Sequence, residues 1–264
     1  MIRKPVHVAM YSGGASSVYV AYHMLKTYGR ENSLLFFANT LWEHEDSYRF
    51  MHEVADYLDM EITYRVDGRT PEQVIYDYEF IGNSRLVKCA DELKVRQIII
   101  FLEELRDEHD LEPILYFGTG SQEQQMVENL KEFFADFLFE PVETRFPLIS
   151  TILEEIDIKQ IIEKEWGIKL PIMYKLGFSH TNCGGRCVRG GFQYYAQLFQ
   201  TWPEIYREQE RMEEEFRGNF NKNISILKRD EGPLTLREYR DELEQNGLQR
   251  YLSFDDNTVP CVCK

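Results

Sequence analysis

The first residues along the chain that could take part in binding or catalysis form a glycine turn, Ser12-Gly13-Gly14-Ala15-Ser16-Ser17. A β-rich run ends just before this turn, and a helical stretch begins within it. Unpaired amides and the dipole at the start of a helix attract anions, and adjacent glycines let the backbone approach a phosphate closely. The turn has neither the lysine of a Walker A loop nor the spaced glycines of a dinucleotide-binding turn. It therefore predicts a phosphate site of another kind, or only a turn.

Five cysteines form the second set of chemically useful residues. Cys183 and Cys187 lie in a glycine-rich loop, Cys261 and Cys263 form another close pair, and Cys89 stands apart from both pairs. An iron-sulfur cluster and a structural zinc ion both take about four thiolates, which close pairs can supply. We expect Cys183 and Cys187 to be metal ligands together with two of the other three. The alternatives are separate buried thiols, or a strained disulfide between Cys261 and Cys263.

Strands and helices must alternate along the chain to position these residues. Apolar runs predict strands at 6–11, 34–38, 62–66 and 114–117, and the segments between them have helical patterns, including a long helix from Cys89 to Arg106. This order predicts an α/β fold with a Rossmann-like, doubly wound and mostly parallel sheet. Strand signals fade after Pro171. We therefore place a boundary at Gly177, between a sheet domain of residues 1–177 and a cysteine-rich, mainly helical extension of residues 178–264 that packs on it.

The bulk properties of the chain narrow the possible classes of protein. The 264 residues carry a formal charge of −15, and the sequence pI is near 4.9. This acidic balance opposes nonspecific binding to a phosphate backbone. The acidic run 213–215 is expected to be a solvated helix face. A small, odd number of cysteines and the lack of an apolar leader predict a cytoplasmic protein with reduced thiols. No apolar stretch is long enough to span a membrane, so we expect no membrane partner.

Several motifs together resemble one family. The turn at 11–17 is similar to the pyrophosphate loop, commonly Ser-Gly-Gly-Lys-Asp-Ser, of N-type ATP pyrophosphatases and phosphoadenosine phosphosulfate (PAPS) reductases. Further similarities follow in family order at 37–43, 89–94 and 146–149. The segment Leu176-Gly177-Phe178-Ser179-His180-Thr181-Asn182-Cys183 resembles the Gly-Phe-x-His-x-Asn-Cys segment of PAPS reductase-like proteins. Over about residues 6–191, the chain is therefore identified as a member of this adenine nucleotide alpha hydrolase-like family.

The resemblance implies an adenine nucleotide, ATP with Mg²⁺, bound at the turn. The expected nucleotide-binding residues are Ser12, Gly13, Gly14, Ser16, Ser17, Asn39, Thr40, Gly118, Gly120 and Arg189. The expected catalytic residues are Ser12, Ser17, Lys94 and His180. Lys94 falls in a family motif and would supply local positive charge, although Arg96 is an alternative. His180 is a proton donor to a leaving phosphate, a ligand, or a structural histidine.

The sequence also departs from the family pattern. The common loop lysine is Ala15 here, the common loop aspartate is Ser16, and the aspartate after the second strand is Asn39. These differences remove a cation and two carboxylates, which affects both phosphate neutralisation and magnesium coordination. The family's reductases carry a C-terminal Glu-Cys-Gly thiol motif, which this sequence lacks. Direct reduction of PAPS by such a thiol is therefore not expected.

The resemblance implies an enzyme that cleaves ATP between its α- and β-phosphates and adenylates an acceptor for sulfur transfer, that is, thio-modification. Relatives in the family hold a 4Fe-4S cluster beside the nucleotide, so a 4Fe-4S cluster is the preferred metal centre and zinc is the alternative. The acceptor would be a nucleic acid or a small molecule, and a sulfur-donor protein is a further expected partner. Two other functions stay open: sulfonucleotide (PAPS or APS) reduction with another thiol source, and noncatalytic binding of an adenine nucleotide.

Overall fold

Five parallel strands form the central sheet. A computed structural model describes residues 3–82, 87–120, 123–136, 140–151 and 156–247. The strands are β1 (Lys4–Met10), β2 (Ser33–Asn39), β3 (Ile62–Val66), β4 (Leu111–Tyr116) and β5 (Glu143–Arg145). They pair in the order β3-β2-β1-β4-β5, and every pair is parallel. The chain adds β2 and β3 on one side of β1 and then β4 and β5 on the other. The strand order therefore switches between β1 and β4, where a sheet of this type opens a crevice for ligands.

Helices cover both faces of this sheet. The helices are α1 (Ala15–Tyr28), α2 (Glu45–Leu58), α3 (Pro71–Asp77), α4 (Lys88–Ala90), α5 (Arg96–Asp107), α6 (Gln124–Ala135), α7 (Pro147–Ser150), α8 (Ile158–Gln160), α9 (Ile172–Lys175), α10 (Phe192–Thr201), α11 (Pro203–Phe220) and α12 (Leu236–Asn246). Helices α1 and α2 pack on one face through side chains such as Val18 and Met51. Helices α5 and α6 pack on the other through side chains such as Leu102 and Leu130. The predicted α/β class with a doubly wound sheet is confirmed.

A π-helical turn interrupts the helix that the sequence predicts from Cys89 to Arg106. The turn spans Asp91–Val95 and lies between α4 and α5. Such turns widen the helix locally, and they are frequent at functional sites. Lys94, an expected catalytic residue, lies in this turn. The sequence pattern predicts the helix but does not reveal its widened segment.

The residues after Gly177 form a mainly helical layer. Helices α10, α11 and α12 share an apolar core with a short antiparallel hairpin of β6 (Leu227–Arg229) and β7 (Gly232–Leu234). Tyr206 and Tyr239 are fully buried in this core. The predicted boundary at Gly177 is not tested by these contacts and stays a prediction. None of the helices in the described ranges is both long and apolar enough to cross a membrane.

The expectation of a solvated acidic face on α11 is wrong for one residue. Glu213 is 0% exposed, and its carboxylate accepts hydrogen bonds from the backbone N–H groups of Ile226 and Leu236, both at 2.7 Å. Burial raises the pKa of Glu213 to about 7. Because Leu236 begins α12, this side chain ties α11 to the start of the last helix and to the segment before β6.

Candidate functional site

The glycine turn lies at the carboxyl end of β1 and leads directly into α1. Gly13 has φ +77°, and a Cβ at this position would lie 2.8 Å from Met51 Sδ, so only glycine fits without strain. Ser17 Oγ donates to the carbonyl oxygen of Gly14 at 2.9 Å, and Ser12 Oγ donates to Ser17 Oγ at 3.2 Å. Hydroxyl groups therefore hold the turn in place, and they bring hydrogen-bonding groups to the expected phosphate position.

Tyr174 closes one side of the glycine turn. Its Oη accepts a hydrogen bond from the backbone N–H of Ala15 at 3.0 Å. Burial raises the pKa of this phenol, so it stays protonated at neutral pH. On the same side, Thr181 Oγ1 donates to the carbonyl oxygen of Gly13 at 3.5 Å. The segment before the cysteine loop therefore packs on the turn, although no local sequence pattern indicates this contact.

Gly118 has a packing role at the end of β4. A Cβ on this residue would lie 2.6 Å from the backbone N and 2.7 Å from Cα of Ser17. The strand end therefore rests directly on the backbone of the first turn of α1. A Cβ on Gly120, by contrast, would meet nothing within 4 Å, and its N–H donates to Glu123 Oε2 at 3.1 Å. The nucleotide contacts expected of both glycines stay predictions.

An apolar cavity of about 280 Å³ opens beside the carboxyl ends of β1 and β2. Helices α4 to α6 supply much of its other wall. The described residues that line it are Met10, Tyr11, Ser12, Phe36, Phe37, Ala38, Val87, Ala90, Asp91, Lys94, Val95, Ile98, Phe117, Met126, Asn129, Leu130, Phe133, Phe134 and Arg189. A concave, mostly apolar wall with a few polar groups is the usual form of a small-molecule site, and it suits a nucleobase. We call this space the apolar cavity.

A second cavity, of only about 20 Å³, brings three of the five cysteines together. Cys89, Cys183 and Cys187 all line this space, which we call the cysteine cavity. Its other described residues are Thr40, Trp42, Pro71, Val87, Ala90, Lys94, Arg186, Val188 and Arg189. Cys183 adopts φ +54°, in the left-handed region that non-glycine residues seldom occupy. Its backbone N–H donates to Glu43 Oε2 at 2.9 Å, which helps to hold this conformation.

The three thiols suit a metal centre by their chemistry and by their common cavity. Thiolates are ligands of both iron-sulfur clusters and zinc. Among the residues that the structure describes, however, no group of three His, Cys, Asp or Glu side chains could hold a metal ion. The expected ligands Cys261 and Cys263 lie outside the described residues. The metal-ligand assignment therefore stays a prediction.

Two cationic side chains line the boundary between the cavities. Lys94 and Arg189 line both the apolar cavity and the cysteine cavity, together with the apolar residues Val87 and Ala90. The side chain of Lys94 is 12% exposed, whereas that of Arg96 is 63% exposed and lines neither cavity. Of Lys94 and Arg96, only Lys94 therefore faces the site.

Glu43 connects the strand end, the helix and the cysteine loop. Its carboxylate accepts hydrogen bonds from Thr40 Oγ1 at 3.1 Å and from the Cys183 N–H. Oε1 of this carboxylate also lies 3.8 Å from Lys94 Nζ. Glu43 lies at the end of the family-like segment 37–43, for which the resemblance implies no role of this residue. An acidic residue just beyond the end of β2, where ligands bind in such sheets, was the signal that could have found it.

Four further expected residues do not line the apolar cavity: Ser16, Asn39, Thr40 and His180. Asn39 Oδ1 accepts hydrogen bonds from Tyr48 Oη at 2.6 Å and from the Leu41 N–H at 2.9 Å, so its side chain closes a local turn. Thr40 is buried and lines the cysteine cavity instead. His180 stacks on Tyr194, with ring centroids 5.8 Å apart, and lines neither cavity. Ser16, in the first turn of α1, also lines neither.

Comparison with known proteins gives the family. The model of the phosphoadenosine phosphosulfate reductase domain matches residues 6–179, so the chain belongs to this family. A search of the curated proteins gives no match. Among solved structures, the chain is similar to the U34-tRNA thiolase NcsA from Methanococcus maripaludis with its 4Fe-4S cluster, with 15% identity and a TM-score of 0.42 over 92% of this chain and 82% of that one.

Proposed function

We propose that the protein is an ATP pyrophosphatase that adenylates an acceptor for sulfur transfer. The observation that carries this proposal is the common boundary of the two cavities, where Lys94 and Arg189 face both. An adenine base in the apolar cavity would place the phosphates towards Ser12 and the glycine turn. The reacting phosphate would then lie beside two cations and next to three thiols.

The two cations compensate for the altered loop. Ala15 and Ser16 stand where the family commonly has a lysine and an aspartate. Lys94 comes from the π turn and Arg189 from the segment after the cysteine loop, so both reach the site from outside the glycine turn. Positive groups held in a partly dehydrated cavity neutralise phosphate charge more effectively than they would in water.

The proposed reaction begins at an oxygen atom of the acceptor. This oxygen attacks the α-phosphorus of ATP and loses its proton to water, and the bond from that phosphorus to the oxygen bridging to the β-phosphate breaks. Pyrophosphate leaves with the electron pair, and AMP stays attached to the acceptor. Lys94, Arg189 and the amides at the start of α1 stabilise the charge that develops on the leaving group. Mg²⁺ would be held mainly by the phosphates, and Asp91 is the carboxylate that the apolar cavity offers.

The cysteine cavity would take part in the transfer of sulfur to the adenylated acceptor. Cys89, Cys183 and Cys187 would hold a 4Fe-4S cluster together with Cys261 or Cys263, and zinc is the alternative. A cluster with such thiolate ligands would supply a site that binds or manages sulfur beside the adenylated acceptor. A sulfur-donor protein would be the partner that provides the sulfur. The chain's own contribution is the buried loop that holds Cys183 against Glu43.

The identity of the products from ATP tests this proposal. Anaerobically purified protein should be incubated with ATP labelled at the α-phosphate and with two acceptor classes, unmodified tRNA and a mixture of free nucleosides. The proposal predicts unlabelled pyrophosphate, with the label in AMP or in an AMP–acceptor adduct. Binding of ATP without these products under any acceptor condition would instead support a noncatalytic nucleotide-binding protein. Production of sulfite from PAPS would support a reductase.

A further inference from the structure

The hydroxyl of Tyr174 lies in front of the first turn of α1. Backbone N–H groups in the first turn of a helix have no partner within the helix, and they point out of its N-terminal end. In α1 the residue at this end is Gly14, which has no side chain to accept from them. The Ala15 N–H instead donates to Tyr174 Oη at 3.0 Å. The phenol therefore lies on the side of the glycine turn where the phosphates of a nucleotide are expected.

This hydroxyl keeps a hydrogen-bond donor for a ligand. A tyrosine hydroxyl can accept and donate at the same time. Tyr174 Oη accepts from Ala15, whereas its own O–H donates to none of the residues that the structure describes. The raised pKa of Tyr174, which burial causes, keeps the proton on the oxygen at neutral pH. Hydrogen bonds to charged oxygens are stronger than those between neutral groups, so a phosphate is a suitable acceptor for this O–H.

An ammonium group lies over the ring of the same tyrosine. Lys159, an exposed residue of α8, places its Nζ 4.2 Å from the centroid of the Tyr174 ring. Within the described parts of the chain, Lys159 forms no ion pair with a carboxylate. The residue that Tyr174 contacts, Ala15, occupies the position where the family commonly has a lysine. A cation is therefore held one aromatic ring away from the position of the missing lysine.

We propose that Tyr174 and Lys159 bind the leaving pyrophosphate at the glycine turn. This inference rests on the proposed function, because it assigns two further residues to the same reaction. Tyr174 Oη would accept the Ala15 N–H and donate its own O–H to an oxygen of the β-phosphate, and the proton would stay on the phenol throughout. Lys159 would add positive charge from α8, an element that supplies neither Lys94 nor Arg189.

A purely structural role of Tyr174 would affect anion binding differently. If the hydroxyl only occupied the Ala15 N–H, its removal would free this amide and would leave the affinity for pyrophosphate unchanged or raise it. If the hydroxyl donates to the phosphate, its removal weakens the binding of pyrophosphate. The direction of the change in affinity therefore separates the two roles, even though both lose the same contact with the glycine turn.

Calorimetric titration of the full-length protein with inorganic pyrophosphate tests the role of Tyr174. Tyr174→Phe should weaken binding about tenfold, since a hydrogen bond to a charged group is lost. Adenosine, which has no phosphate, should bind to the variant as tightly as to the wild type. Tyr57→Phe is the matched control, because the Tyr57 side chain is 46% exposed. Unchanged or tighter binding of pyrophosphate by Tyr174→Phe, an equal loss of adenosine binding, or no binding of pyrophosphate by the wild type would overturn the proposal.

The role of Lys159 is tested by the same titration. Because Lys159 is exposed, Lys159→Met should weaken pyrophosphate binding only about threefold at low salt, and the difference should shrink as salt is added. Lys164→Met is the matched control, since Lys164 is also exposed and lies outside the contact with Tyr174. Equal weakening by the two substitutions would show a general effect of net charge and would overturn the assignment of Lys159.

The outcome is separable from that of the proposed function. ATP cleavage by the wild type and by the Tyr174→Phe and Lys159→Met variants is measured alongside the titrations. Wild-type pyrophosphate affinity and cleavage in both variants would overturn this inference and leave the proposed function standing. Weakened pyrophosphate binding in the variants, with no ATP cleavage by the wild type, would leave the two residues at an anion site and overturn the pyrophosphatase proposal.

Discussion

The glycine turn and the cysteine loop approach the same two cations, yet different forces hold them in place. The turn is anchored by the sheet: β1 leads into it, and the backbone of β4 at Gly118 rests against its helix. The cysteine loop is held by a side chain, since Glu43 accepts the Cys183 N–H, and in the helical layer of the same C-terminal region buried Glu213 holds the start of α12. The region of the glycine turn therefore depends on backbone packing, and the region of the cysteine loop and the helical layer depends on carboxylates with long-range partners.

This difference predicts which kinds of substitution or condition will disrupt each region. Backbone packing in a sheet core responds to volume, because a single added methyl group must displace its neighbours. Carboxylate anchors respond to protonation and to the loss of their partners, because a buried charge is costly once unpaired. Substitutions that add volume, remove charge or change pH therefore separate the two halves experimentally.

The largest effect is expected at the cation between the halves. Lys94→Met should lower pyrophosphate release about 100-fold, because it removes a positive group from the leaving phosphate. Lys94→Arg should retain much of the activity, since it keeps the charge. Arg96→Met is the matched control on the same helix, and steady-state rates should match those of the wild type. A Lys94→Met variant that folds and keeps the wild-type rate would remove Lys94 from the mechanism.

The carboxylate-anchored half should show an unusual dependence on pH. The pKa of Glu213 is raised from 4.5 to about 7, so the folded state binds this proton more tightly than the unfolded chain. The protonated Glu213 side chain therefore makes its full contribution to the free energy of unfolding below about pH 4.5. This contribution is lost as the pH rises through about 7. Between about pH 5 and about pH 7.5 the loss is about 2 to 3 kcal/mol.

Comparison with Glu213→Gln isolates this effect. The free energy of unfolding of wild type minus that of the variant should fall as the pH rises from about 5 to about 7.5. Carboxylates with lowered pKa values, such as Asp67 and Glu92, contribute equally to both proteins and cancel in the difference. Urea titrations at several pH values give the measurement. A difference that stays constant or grows with pH would show that Glu213 is not a buried acid.

The sheet-anchored half should be sensitive to volume instead. Gly118→Ala should lower the free energy of unfolding by about 2 kcal/mol, because its methyl group must displace the Ser17 backbone. ATP affinity should fall with it, since the same displacement distorts the glycine turn. Gly120→Ala is the control, because its added methyl group meets open space, and it should change stability by less than about 0.5 kcal/mol. Equal effects of the two substitutions would show that β4 does not press on α1.

The smallest effect is expected where the two halves touch. Tyr174→Phe removes the hydroxyl that accepts the Ala15 N–H, which should cost about 1 kcal/mol of stability. Tyr57→Phe serves as the control, because the Tyr57 side chain is 46% exposed. Thermal unfolding compares the two proteins. A Tyr174→Phe variant as stable as Tyr57→Phe would show that the contact between the segment and the turn is energetically neutral.

The sequence predicts the region of the glycine turn, because the structure of this region depends on local patterns. Apolar runs that end shortly before Gly13 and Gly118 indicate strands, and β1 and β4 lie there. Lys94 was expected from its motif, and it faces the site. These features are readable because their causes lie within a few residues of each other.

The other half could not be predicted because its contacts join distant residues. Glu43 and Cys183 are 140 positions apart, and nothing in the run 213–215 distinguishes buried Glu213 from its neighbours. The expected contact of Asn39 with the nucleotide stays a prediction. Long-range hydrogen bonds and packing leave no periodic signal in a single sequence.

We expect bound nucleotide and the cysteines to occupy adjoining spaces. Cys89 lines the cysteine cavity beside Ala90 and Lys94, which also line the apolar cavity. The most direct measurement is the rate at which iodoacetamide alkylates Cys89 in metal-free protein, followed by peptide mass spectrometry with and without saturating ATP. Bound ATP should slow this alkylation. An unchanged rate at Cys89, with ATP binding confirmed in the same sample, would contradict it.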